Sequence, residues 1–148
     1  NLSIDVSRLP QSIKSLGGFA FQGVTTTGVL DLPNLEGTIN WGNFNDAAAK
    51  QLEGIENLGA ITSIAGFMKQ EKLRYVNIPQ TCNDIANNAF SGCIALEQVI
   101  CRATTPPTLG TTVFSGSTCP IYVPDASVEA YKTATNWSSY ASRIKGIS

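Results

Sequence analysis

The chain of 148 residues contains no histidine. That removes the commonest general base and the commonest metal ligand together. It also excludes any Ser-His-Asp or Cys-His constellation built within the chain. Charge is scarce as well: 14% of residues are charged, against about 25% in an average soluble protein. The net charge is -1 and no basic run occurs, so nucleic acid is not an expected partner. No apolar run approaches the ~20 residues needed to cross a bilayer, so no membrane insertion is expected of this segment. The four cysteines, Cys82, Cys93, Cys101 and Cys119, form no CxxC pair, which leaves a zinc or thioredoxin-like site unsupported. Phosphate-loop, dinucleotide and HExxH signatures are missing too. These absences predict no enzyme, no metal and no cofactor. Ser, Thr and Asn, 38 residues together, supply the polarity that charge does not, a mix suited to a turn-rich secreted or surface protein.

What is present is a repeat. Phe21, Phe44, Phe67 and Phe90 lie 23 residues apart, and Phe114 follows 24 later. A fixed period of this size means a structural unit copied in tandem. Five residues before each Phe stand Leu16, Ile39, Thr62, Ile85 and Leu109; nine after stand Leu30, Glu53, Val76, Val99 and Val123. The one polar exception in each column, Thr62 and Glu53, lies between Phe44 and Phe67, where compensating small insertions are expected.

The clearest copies read Leu73-x-x-Val76-x-Ile78-Pro79 and Leu96-x-x-Val99-x-Cys101. This is the strand pattern of a leucine-rich repeat. Strand side chains alternate, so Val76 and Ile78 face inward while Tyr75 and Asn77 face out. Pro79, with no N–H to donate, ends the strand. The outward positions form two columns: Val29, Leu52, Tyr75, Gln98 and Tyr122, and beside it Asp31, Gly54, Asn77 and Ile100. Tyr75, Asn77, Gln98, Ile100 and Tyr122 are the candidate protein-binding face, because exposed aromatic and apolar groups on a rigid sheet make binding anchors. The bland alternative is that they pack on one another to cover the sheet. The turn-rich run Asn83–Asn88 lacks the residue order of an EF-hand and reads as turns. All four cysteines read as free and structural, the alternative being a disulfide between Cys93 and Cys119.

The expected architecture is an α/β repeat solenoid of about five 23-residue repeats, mostly strand and irregular turn, in a single domain over 1–148. Residues 1–16 are a partial N-terminal repeat or cap, with a strand over 2–6. Residues 17–124 are the repeats. Asp46 to Leu52 reads as a short N-capped helix. Residues 125–148 are a C-terminal cap: Val128, Tyr131, Ala134, Trp137, Tyr140 and Ile144 recur at helical spacing, with Asp125 or Ser127 as N-cap. The start at Asn1, without Met or a signal peptide, reads as a mature or trimmed fragment.

Over residues 73–144 the chain resembles the BspA-like leucine-rich repeats of bacterial surface proteins. The segment Ile78-Pro79…Ile85…Ala89-Phe90…Cys93…Leu96…Val99 carries the likeness, as do Thr105–Leu109 and the ending from Tyr122-Val123-Pro124 to Trp137. The match is looser over 9–34 and poor over 35–66. The resemblance implies export, display at the cell surface and adhesion to a host or bacterial protein, with no catalytic residues to carry over; the chain is expected to be a monomer. The alternatives are a purely structural C-terminal spacer of a larger surface protein and, less favoured, a carbohydrate-active domain using paired carboxylates.

Overall fold

The computed structural model describes residues 2–45 and 49–148. In chain order its elements are β1 (Ser3–Asp5), β2 (Thr25–Asp31), β3 (Glu36–Ile39), α1 (Trp41–Asn45), β4 (Ala49–Asn57), β5 (Ala60–Ile64) and β6 (Tyr75–Ile78). There follow β7 (Asp84–Ile85), β8 (Gln98–Cys101), β9 (Thr108–Leu109), β10 (Ile121–Val123), α2 (Val128–Thr133) and β11 (Ile144–Gly146). Short 3-10 turns cover Val6–Arg8, Asp125–Ser127 and Trp137–Arg143.

The strands form two parallel sheets. One has seven strands in the order β1-β2-β4-β6-β8-β10-β11, the other four in the order β3-β5-β7-β9. Each full turn of the chain adds one strand to the large sheet, and the four turns that follow β2, β4, β6 and β8 add one to the small sheet as well, so each strand pairs with its equivalent in the next repeat. The apolar columns of the sequence become the two inner faces. Leu30, Ile55, Val76, Val99, Ile121 and Ile144 are in register across the large sheet, and all are buried. Ile39, Ile64, Ile85 and Leu109 are in register across the small one. Between the sheets runs the phenylalanine ladder. Ring centroids from Phe21 to Phe114 are separated in turn by 4.9, 5.0, 5.5 and 6.0 Å, all stacked. Burying each ring contributes roughly 1.5–3 kcal/mol, and no single repeat could bury its own.

The break between Phe44 and Phe67 has a definite form. Strand β4 is nine residues long and carries two bulges against β2, which leave Glu53 and Glu56 without partners in the register. Leu30 therefore pairs with Ile55, 25 residues on, and Ile55 with Val76, 21 on. The small sheet makes the same correction, Ile39 to Ile64 and then Ile85. The extra length is inserted and then removed, so the Phe spacing never changes. Three expectations are overturned here. Ala49–Leu52 is strand, not helix; the remainder of that expected helix, 46–48, lies outside the described residues. Leu52 points inward and is fully buried, and Gly54 takes its place between Val29 and Tyr75. Tyr122 pairs with Ile100 rather than following Gln98, because the stretch from Phe114 to its inward strand residue Ile121 is two residues shorter than that from Phe67 to Val76 or from Phe90 to Val99.

Beyond Pro124 the chain makes α2 and a 3-10 turn, then returns as β11, parallel to β10. The expected helix thus ends short of Ile144, which is in a strand. Neither expected N-cap acts as one: Ser127 Oγ donates to the Thr104 carbonyl at 2.7 Å, and the Asp125 carboxylate accepts from the Ser148 N–H at 3.1 Å. Trp137 and Tyr131 are fully buried, with the Trp137 ring 6.1 Å from that of Phe114.

Candidate binding face

The five sequence-predicted residues lie on the outer face of the large sheet and are all half-buried. Tyr75 is opposite Gln98. Asn77, Ile100, Tyr122 and Lys145 form the next column. Tyr75 does not stand upright. A methyl group built on Gly54 would lie 2.4 Å from its ring, so the ring lies flat across the neighbouring strand and only glycine leaves room for it. That ring covers backbone the bulged strand would otherwise expose. Burial, and secondarily the nearby Glu56 carboxylate, raises the Tyr75 phenol above its ordinary value. Asp31 adds a weaker negative influence.

At the carboxyl ends of β4, β6 and β8 the face falls into a recess of about 310 Å³. Its walls include Glu56, Asn57, Asn77, Gln80 and Arg102. Arg102 Nη2 donates to Asn77 Oδ1 at 3.3 Å, and Asn57 Oδ1 accepts from the Gly59 N–H at 2.9 Å. Of these residues the sequence singled out Asn77 alone. The signal for Glu56 and Asn57 was the broken register before Phe67, since a bulge re-aims the side chain it ejects from a ladder.

The Asn87 and Asn88 side chains of the turn-rich run are occupied by the next repeat. Asn87 Oδ1 accepts from the Thr111 N–H at 2.8 Å, and Asn88 Oδ1 accepts from the Thr112 hydroxyl. Asn136 Nδ2 donates to the Leu109 carbonyl at 2.7 Å, which ties Asn136 into the fold. The four thiols are free and buried. Burial pushes Cys82 and Cys93 up to about 12, and raises Cys101 as well. Cys93 donates to the Phe67 carbonyl, while Cys119 lies beside Arg143. Among the described residues no group of three His, Cys, Asp or Glu could hold a metal, and no helix is long and apolar enough to cross a membrane.

Two parallel sheets closed by tandem turns around an internal aromatic ladder, with one side-chain-bearing sheet face left open, define a repeat solenoid of the leucine-rich class. The profile of the BspA type leucine rich repeat region matches residues 1–120 in six copies, and the chain belongs to that family. No curated protein matches the chain. Repeats of this family are protein-interaction or structural modules, are generally non-catalytic, and typically occur in surface proteins.

Proposed function

We propose that this chain is a non-catalytic, adhesion-type module of a secreted or surface protein, and that it binds a host or bacterial protein through the outer face of its large sheet. The observation that carries the reading is the adjacency of Tyr75, Gln98, Asn77, Ile100 and Tyr122 in two neighbouring columns. The inward positions are spent on the core, and these five offer mixed apolar and polar contacts on a rigid base. Tyrosine supplies large contact area with few rotors to freeze. The single domain spans 1–148, with 125–148 closing its C-terminal end, and it acts as a monomer without cofactor. A second reading, a structural spacer within a larger surface protein, is favoured by one observation: Tyr75 is already engaged over Gly54.

The test is a binding screen against host and bacterial surface proteins. Tyr122→Ala and Gln98→Ala are then compared with the turn control Asn83→Ala at matched stability. The binding reading expects weaker affinity in the first two only. Unchanged affinity in both leaves the spacer reading.

A further inference from the structure

Glu56 and Arg102 both line the recess at the carboxyl rim of the large sheet, yet among the described residues neither is in an ion pair. Two opposite charges that share a recess without neutralising each other suit a ligand carrying the complementary pair. Glu56 is the residue that the second bulge of β4 lifts out of register, and its carboxylate lies near the Tyr75 phenol. The Arg102 guanidinium is steadied by Asn77, which leaves most of its planar fork for a carboxylate. The amides of Asn57 and Gln80 add donors and acceptors at the spacing of side chains on a wall, suited to peptide N–H and C=O groups. Asn57 spends its oxygen on Gly59, and its nitrogen remains. No aromatic ring lines the recess, so a sugar ring finds no platform to stack on. The volume, about 310 Å³, is at the lower end of the range for ligand sites, roughly 300–1,000 Å³; it takes a short extended stretch rather than a folded loop.

We propose that this recess binds an extended segment of the partner protein that carries one basic and one acidic side chain, the first at Glu56 and the second at Arg102. The proposal rests on the protein-binding reading above but turns on Glu56 and Arg102, at the rim of that face and outside its five residues; only Asn77 is shared.

The experiment uses two synthetic hexapeptides of identical composition, acetyl-Gly-Lys-Gly-Gly-Asp-Gly-amide and acetyl-Gly-Asp-Gly-Gly-Lys-Gly-amide, titrated into isotope-labelled protein. The expected result is that one isomer moves the side-chain amides of Asn57, Asn77 and Gln80 at a concentration about tenfold lower than the other. That preference shrinks as salt rises. The charge-swapped protein, Glu56→Arg with Arg102→Glu, inverts it. Should the double variant fail to fold, Glu56→Gln and Arg102→Gln each weaken the preferred isomer by about tenfold. Equal response to both isomers, no response at the recess, or a response unaltered by the substitutions overturns the proposal. So does equal binding of free lysine and aspartate, or binding of oligosaccharides in place of the peptides. Because the probes are synthetic, failure here is separable from failure of the strand face, which only Tyr122→Ala and Gln98→Ala with a natural partner can decide.

Discussion

At the scale of single residues the physics is mostly burial. Phe90 stacks between Phe67 and Phe114 and is fully buried. Phe90→Ala leaves a cavity the rigid ladder cannot fill, and denaturant unfolding should show a loss of about 3–5 kcal/mol. The thiols give a pH dependence. Cys82 and Cys93 have folded-state values near 12 against an ordinary 9. Between those limits the unfolded chain releases protons that the folded chain keeps. Their stabilisation is complete below about pH 9 and is lost as pH rises toward 12. Unfolding free energy measured from pH 8 upward should therefore fall, and fall less steeply in Cys93→Ala. Tyr75 titrates above its ordinary value because it is buried and close to Glu56; Glu56→Gln should bring it down, which an absorbance titration of the phenolate would read.

At the scale of elements, the small sheet and the final turn of chain show how each end is finished. The β9 edge is met by side chains rather than a strand: Asn136 donates to the Leu109 carbonyl, and Trp137 Nε1 donates to the Pro107 carbonyl at 2.8 Å. Tyr131 donates to the Ala103 carbonyl at 2.5 Å, so the proton between it and Cys101, 3.3 Å away, belongs to the thiol. Removing residues 125–148 takes away β11, these hydrogen bonds and the ring of Trp137 over Phe114. The truncated protein should bind a hydrophobic dye and associate in light scattering, whereas a soluble and equally stable truncate would show that the last turn closes nothing. Strand β4 shows a different device. Gln70, fully buried, turns its oxygen to the Leu52 N–H at 3.4 Å, supplying an acceptor beside the bulged stretch.

At the scale of the whole molecule the stack is close to one-dimensional, since each repeat touches mainly its neighbours. Its two ends are unequal. At the C-terminal end Phe114 is sealed by Trp137 and by Tyr140, whose ring is 5.4 Å away edge-on. At the N-terminal end Leu9, Ile13 and Leu16 are only half-buried, and Phe21 is the most exposed ring of the ladder at 5%. Local opening should therefore begin at the N-terminal turn. Amide hydrogen exchange is expected to be fastest in β1 and β2 and slowest in β6 and β8; uniform protection along the stack would contradict this.

The sequence by itself determined the period, the inward columns of the regular repeats and the aromatic ladder. Those follow from strand alternation and from stacking that must repeat wherever the Phe does. It did not disclose the small sheet, whose strands over 84–85 and 108–109 are two residues long and carry no alternation to read. Nor did it place β4, where an insertion removed further along the chain hides behind an unchanged spacing of Phe44 and Phe67, and where Ala49–Leu52 reads as helix although its neighbours hold it as strand. Only the tertiary structure decided that Tyr122 stands beside Ile100, that Tyr75 lies over Gly54, and that Glu56 and Arg102, 46 residues apart, line one recess. Pairing between strands sets those positions, and pairing is a property of the stack that no single repeat encodes.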